Sequence, residues 1–262
     1  MPTSALHVAR TGLEAQDARM RVIANNLANV GTTGFKRDRA NFATLAYQDA
    51  RVAGQQSSNE TAYATGLNLG TGVGIQSTTR IETNGPLNTT GNSLDMALDG
   101  DGYFQVQLPG GQLGYTRAGN FTRSSEGQLV TAQGYALQPA INIPEGATSI
   151  TISADGTVSA SVPGSTDAAQ LGQITIASFA NPAGLKPVAD NFLMETGASG
   201  AAQIGVAGDG GRGNIRQGML EGSNVNIVEE LVDMIECQRA YEINSKMISA
   251  VDEMLRNANQ TL

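Results

Sequence analysis

Residues 4–31, SALHVARTGLEAQDARMRVIANNLANVG, decide how the rest of the chain is read. Ser4 is a suitable helix N-cap and Gly31 a suitable C-terminal stop. Between them Leu6, Leu13, Met20 and Leu27 recur every seven residues, and Ala9, Gln16, Ile23 and Val30 interleave three positions later. Seven of these eight are apolar, while Arg10, Glu14, Asp17 and Arg21 take the opposite side. A seven-residue apolar repeat predicts a helix packed along a partner helix. At about 1.5 Å per residue it runs roughly 40 Å, long for a globular protein.

The other end of the chain answers it. Asn226 with Glu229 three residues on reads as a capping box, and Glu230 and Asp233 add negative charge near the positive end of the helix. Tyr241, Ile248, Val251 and Leu255 make one stripe, and Ile243, Met247, Ala250 and Met254 make a second beside it. Two adjacent stripes form an apolar arc too broad for one partner helix. Each large side chain buried there contributes about 1.5–3 kcal/mol, so leaving a stripe in water is costly. Two packings satisfy the pattern: a helical hairpin docked on its own globular domain, or ends that associate between copies. The breadth of the arc favours the second. The candidate contact residues are Leu6, Leu13, Met20, Ile23, Leu27 and Val30 on the first helix and Leu231, Ile235, Tyr241, Ile248, Val251 and Leu255 on the second.

Charge and glycine follow the same division. Residues 1–51 are net +3, residues 221–262 net −5, and the stretch between net −6, for −8 in all. Ends of opposite sign are suited to meeting one another. Thirty-two of the 262 residues are glycine, well above the usual share of about 7%. Only Gly12 lies within residues 1–30 and none lies within 223–262. The interior is therefore turn-rich. From Leu94 to Thr196 short β-prone runs alternate with turns such as Glu126-Gly127 and Asp155-Gly156. Expected strands include 103–108, 120–123, 141–143, 149–152, 157–161 and 173–179, with no helix between them, which predicts an antiparallel barrel or sandwich. Gly54–Gly74 and Gly197–Gly213 are low-complexity segments, expected to be mobile free in solution and to need neighbouring subunits to pack against when ordered. The fold class is α+β. Terminal helices, 1–36 and 223–262, form a discontinuous coiled coil; 37–93 and 197–222 connect; 94–196 is the β-rich domain.

Catalytic chemistry finds little support. One His and one Cys exclude a His/Cys zinc site, and any nucleophile–His dyad must use His7. Cys237 has no partner for an internal disulfide. Asp99-Gly-Asp101-Gly lacks the third acid of a calcium loop and the twelfth-position ligand, so it reads as a turn. The glycines at 70, 72 and 74 lack dinucleotide spacing, Gly208–Gly213 is no P-loop, and Gly-x-Ser-x-Gly is absent. Asp95, Asp99 and Asp101 are the carboxylates that a carbohydrate hydrolase could use. Net negative charge argues against nucleic acid or an anionic membrane as partner. No apolar run approaches a membrane span, and the start does not resemble a cleavable signal. No catalytic, metal or cofactor site emerges.

Two segments carry a resemblance. Asn25-Asn26-Leu27-Ala28-Asn29-Val30-Gly31-Thr32-Thr33-Gly34-Phe35-Lys36-Arg37 resembles the N-terminal signature of bacterial flagellar rod and hook proteins. Residues 223–235, SNVNIVEELVDMI, continuing through Gln238-Arg239-Ala240-Tyr241-Glu242, resemble the C-terminal one. Gly100–Val106, Tyr115–Arg117 and Gly127–Thr131 agree in the middle, so the likeness covers nearly the whole chain. The motif residues are Asn25, Asn26, Asn29, Gly34, Phe35, Asn224, Asn226, Glu230, Gln238 and Arg239. The chain is most similar to the distal rod members, on its length and on Gly66–Val73, where rod proteins carry an insertion that the hook lacks. Proximal rod members are of similar size.

That resemblance implies a structural subunit without enzymatic activity. It implies export through the flagellar type III apparatus, and polymerisation into a helical tube with the terminal helices inside and the β-rich domain outside. It implies placement in the periplasm-spanning basal body, and contacts with proximal rod proteins, hook protein and the P and L rings. Two other classes compete: a hydrolase acting on the cell wall, and a secreted self-associating adhesin or binding module.

Overall fold

The computed structural model describes residues 2–56, 63–162 and 168–260. They form two units. One is assembled from residues 1–28, 38–79 and 226–262, the other from 29–37 and 80–225.

The first unit is built on two long helices. α1 spans Pro2–Ala28, a stretch of alanine, arginine, leucine and other good helix formers with Gly12 as its one glycine. α2 spans Ile227–Gln260, 34 residues with neither glycine nor proline. Asn226 caps its start: Asn226 Oδ1 accepts the Val228 N–H at 3.1 Å, and the Asn226 carbonyl accepts the Glu230 N–H at 3.0 Å. The helices run antiparallel, because Gly12 faces Asn244, Gln16 faces Cys237 and Arg19 faces Asp233. Asn26 then meets Glu230 at the far end.

The seam between them departs from the apolar heptad expected. Buried residues along it include Ala9, Ala15, Ile23 and Asn26 on α1 and Glu230, Cys237 and Val251 on α2. A Cβ at Gly12 would stand 3.1 Å from Asn244 Nδ2, so a small residue is needed for this approach. Small and polar groups therefore line the contact, while the larger Leu6, Leu13, Met20 and Leu27 are only half-buried. Strand Tyr47–Arg51 pairs antiparallel with Leu67–Gly70, and Asp38–Thr44 lies beside Val73–Arg80.

The second unit is antiparallel β. Its main sheet has Tyr103–Gln107 near its middle, hydrogen-bonded to Leu113–Thr116 on one side and Thr175–Ser178 on the other. Leu193–Met194 and Lys186–Pro187 extend one side, and Gln203–Val206 the other. A three-stranded meander, Ser149–Ile152, Thr157–Ser161 and Ala169–Gln173, sits apart from this sheet, and Asn214–Gln217 pairs with Met96–Asp99. The core holds Met96, Leu98, Phe104, Val106, Phe121, Leu129, Ile174 and Ile176, with Phe104 and Phe121 edge to face at 5.3 Å.

Among the described residues the strands do not close into a barrel; the main sheet keeps open edges at 186–187 and 203–206. The expected strand over 141–143 is reduced to one antiparallel bridge, Asn142 opposite Gln128, in which the Leu129 N–H meets the Ile141 carbonyl and the Ile143 N–H the Gly127 carbonyl, with Ile141 and Ile143 both buried. The run 173–179 divides into two strands at Ile174, whose N–H turns to the Gly156 carbonyl. Glu126-Gly127 and Asp155-Gly156 do turn the hairpins foreseen for them. Gly197–Gly213 is not a featureless segment, because Gln203–Val206 within it is paired in the main sheet.

Candidate functional site

Two features stand out on physical grounds: a buried ionic cluster in the second unit and an uncovered apolar face in the first. The cluster is centred on Glu221, which is fully buried. Its Oε1 accepts from Lys36 Nζ at 2.6 Å and from the Gly85 N–H at 3.0 Å, and its Oε2 accepts from Arg117 Nη1 at 3.3 Å. Lys36 also donates to the Thr83 carbonyl at 2.7 Å, and Arg117 to Asn84 Oδ1 at 3.0 Å. Arg117 stands over the Tyr103 ring at 5.4 Å, and the Tyr103 hydroxyl donates to Glu82 Oε2 at 2.8 Å. Burial, with the Arg117 charge adding, pulls the Lys36 ammonium below its usual range against the pull of Glu221. Burial and the Glu82 carboxylate push the Tyr103 hydroxyl up. Each buried charge has an opposite partner, so the cluster is a structural joint between five chain segments.

Asparagines do the same work in neutral form. Asn224 Oδ1 accepts the Arg37 N–H at 2.7 Å while its Nδ2 reaches the carbonyls of Ile81 and Thr83. Asn26 Oδ1 accepts the Asp38 N–H, and its Nδ2 donates to the Asp38 carbonyl at 2.9 Å and to Glu230 Oε1 at 3.2 Å. An amide side chain presents one donor and one acceptor side by side, which is what a passing backbone strand requires. Gly34 adopts φ +66°, and a Cβ there would stand 2.6 Å from the Arg117 carbonyl carbon. Phe35 beside it is buried, and Thr32 Oγ1 donates to Asn29 Oδ1 in the same turn.

The sequence-derived contact residues divide sharply. Ile23 and Val251 are buried, and Leu6, Leu13, Met20, Leu27, Val30, Ile248 and Leu255 are half-buried. Leu231, Ile235 and Tyr241 are exposed, together with Val228, Val232, Ile243, Met247 and Met254. Val228 is 69% and Ile235 51% accessible. Asn25, Gln238 and Arg239 also lie on the surface. Large apolar side chains left exposed on one helix make this face a candidate contact surface.

The carboxylates considered for hydrolysis hold turns and strands instead. Asp95 accepts from Thr90 Oγ1 at 2.6 Å and from Asn92 Nδ2 at 3.0 Å, and Asp99 pairs with Arg216 at 3.1 Å. Cys237 is fully buried, donating its thiol to the Gln16 carbonyl, and burial pushes the thiol's pKa up.

Three family models match in chain order: a flagella basal body rod protein model over residues 6–36, a flagellar hook protein FlgE/F/G D1 domain over 97–160, and a flagellar basal body rod FlgEFG protein C-terminal model over 216–261. The chain is 50% identical to the flagellar basal-body rod protein FlgG of Buchnera aphidicola subsp. Acyrthosiphon pisum, over 97% of its own length and 98% of the relative's. It is 47% identical to FlgG of Agrobacterium fabrum over 98% and 99%. The chain belongs to the FlgG family of flagellar basal-body rod proteins. It is a structural subunit of the distal rod. Identity to the rod protein FlgF of Caulobacter vibrioides is lower, 32% over 99% of the chain.

Membership gives the motif residues their physical meaning. The two terminal models cover Asn26, Gly34, Phe35, Lys36, Glu221, Asn224, Asn226 and Glu230, the groups that make the backbone clamps, the buried ion pair and the helix cap. Their role is to fix the chain's path. Glu221 and Arg117 were not singled out by sequence reasoning as a site. Nothing local could single them out, because Lys36 and Glu221 are 185 residues apart and their pairing exists only in the fold.

Proposed function

We propose that copies of this chain polymerise into the helical tube of the distal rod, the shaft that carries torque from the motor to the hook through the periplasm. The exposed apolar face of α2 carries this reading: Leu231, Ile235 and Tyr241 are left exposed in one copy and are buried in a polymer. In the tube the terminal helices, 1–36 and 223–262, make an inner coiled-coil layer completed by neighbouring copies. Segments 37–93 and 197–222 connect to an outer β-rich domain, 94–196. Leu6, Leu13, Met20, Leu27, Val30, Ile248 and Leu255, half-buried in the isolated chain, lose the rest of their exposure there, around Ile23 and Val251.

The partners on this reading are other copies, the proximal rod proteins below, the hook protein above, the P and L rings around, and the type III apparatus that exports the chain without a cleaved signal. No reaction is catalysed. The small-residue seam between α1 and α2 supports assembly over a self-sufficient hairpin, since it places the larger apolar groups outside the pair.

Substituting Leu231→Asp with Ile235→Asp tests the reading. Both positions are exposed, so the fold is expected to be retained, with the circular dichroism spectrum and melting temperature close to those of the parent. Basal bodies purified from such cells are expected to lack the distal rod in electron micrographs, and the cells to be non-motile. Normal basal bodies from this variant overturn the assignment of α2 as an assembly surface.

A further inference from the structure

We propose that Asn84-Gly85 is a self-modification site, where the buried ionic cluster promotes closure of the Asn84 side chain onto the Gly85 nitrogen with loss of ammonia. This chemistry stands on the geometry of the cluster and not on the rod reading. Asn84-Gly85 is the one Asn-Gly pair in the chain. With glycine second, no β-carbon hinders the approach of its nitrogen to the asparagine Cγ, and the ring that closes has five members. The two groups are tethered to each other, so no encounter is needed. Glycine is fixed at 85 by the fold, because a Cβ there would collide with the Gly222 carbonyl oxygen. Asn84 is exposed, so water reaches the site.

Both reacting groups are already held by charged side chains. The Gly85 N–H donates to Glu221 Oε1 at 3.0 Å, and Arg117 Nη1 donates to Asn84 Oδ1 at 3.0 Å. A guanidinium has donors only, so the oxygen of the Asn84 amide is the atom that faces it. A cation on that oxygen draws electron density from Cγ and stabilises the negative charge that develops when the nitrogen adds. The carboxylate on the N–H lies toward the peptide plane, which leaves the nitrogen's electron pair, above and below that plane, free to attack. Glu221 is placed to take the proton as the bond forms. It also accepts from Arg117 at Oε2 and from Lys36 at Oε1, so base and electrophile are fixed in one frame.

The steps balance without any group from outside except water. The Gly85 nitrogen adds to Asn84 Cγ while its proton passes to Glu221 Oε1, and Oδ1 becomes an oxyanion against Arg117. The carbon–oxygen double bond re-forms, the bond from Cγ to Nδ2 breaks, and Nδ2 leaves as ammonia with the proton that Glu221 returns. Water then opens the cyclic imide at one of its two carbonyls, giving Asp at 84 or its β-linked isomer. Either product places a carboxylate near the Arg117 guanidinium, a favourable pairing. The β-linked isomer also lengthens the backbone by one carbon next to Thr83, whose carbonyl receives Lys36. The modification therefore changes both the charge and the chain path of the joint.

A rate comparison between the folded full chain and the same chain unfolded in guanidinium chloride tests it. Both are kept at neutral pH in isotopically labelled water, and residue 84 is followed by peptide mass spectrometry. A rigid fold ordinarily slows this reaction by holding the two groups apart. Here the folded chain is expected to convert about a hundredfold faster than the unfolded one, the low end of what a positioned general base contributes. One labelled oxygen is expected in each product. Conversion that is equal or slower in the folded chain overturns the proposal and makes the cluster a shield. Glu221→Gln keeps an acceptor for the Gly85 N–H but has no base, so its folded form is expected to convert no faster than the unfolded parent. A folded Glu221→Gln chain, judged by circular dichroism, that converts as fast as the parent overturns the role of Glu221. Where this variant does not fold, the comparison on the parent chain decides alone. An amide cross-link from Lys36 to residue 84 also overturns the proposal, since Lys36 is then the nucleophile in place of Gly85.

Discussion

Glu221 holds the highest stakes of any single side chain. It receives Lys36, Arg117 and the Gly85 N–H with no exposure to solvent, so its charge cannot be lost without stranding two cations. Replacing it by Gln is expected to cost about 3–5 kcal/mol, read as a lower urea midpoint for the β unit. Gly34→Ala is expected to destabilise by more than the roughly 1–2 kcal/mol of a left-handed alanine, since the new methyl group also meets the Arg117 backbone. Cys237 is sealed between the helices, with a thiol held in its protonated form by burial. Iodoacetamide is expected to leave it unmodified in the native chain and to alkylate it fully in denaturant, as followed by mass spectrometry. The motif asparagines were legible in sequence as a resemblance, but their bonds were not, because an amide's partners are set by where the backbone of another segment passes.

Among the elements, α2 was the most legible. Its cap, its lack of glycine and proline, and its apolar rows are local properties, and the helix begins one residue after Asn226. Asn226→Ala is expected to cost about 1 kcal/mol and to raise amide hydrogen exchange at 228–231 without altering the β unit. The pairing partner of the apolar rows was less legible. Heptad reasoning put Leu6, Leu13, Met20 and Leu27 in the seam, yet these are only half-buried, and Gly12 stands close against Asn244 of α2. Periodicity locates a face to within about one residue step of 100°, whereas interhelical distance depends on side-chain size at the contact. The short strands show a similar division. Hairpin turns at 126–127 and 155–156 follow from local turn chemistry, while the open edges of the sheet depend on long-range pairing.

For the whole molecule, the decisive property is apolar surface left over after folding. The rod-type stretch after α1 contributes the hairpin Tyr47–Arg51 with Leu67–Gly70, where Tyr47, Leu67 and Leu69 are exposed. Residues 57–62 of this stretch lie outside the described residues. We propose that 47–69 stiffens the polymer by packing on adjacent copies, so that a chain with 54–66 deleted is expected still to assemble. The resulting rods are expected to bend in electron micrographs where the parent's are straight.

Composition, spacing and end motifs by themselves determined that this protein has helical ends and a turn-rich β interior, because helix caps and turns are local in the chain. The tertiary structure alone decided that Lys36 and Arg117 converge on Glu221, that small residues close the helix pair, and that Val228, Leu231, Val232 and Ile235 remain exposed. The reason is geometric. A buried charge needs a partner and an apolar side chain needs a neighbour, and both come from segments up to two hundred residues away, which only the folded path brings within a few ångströms.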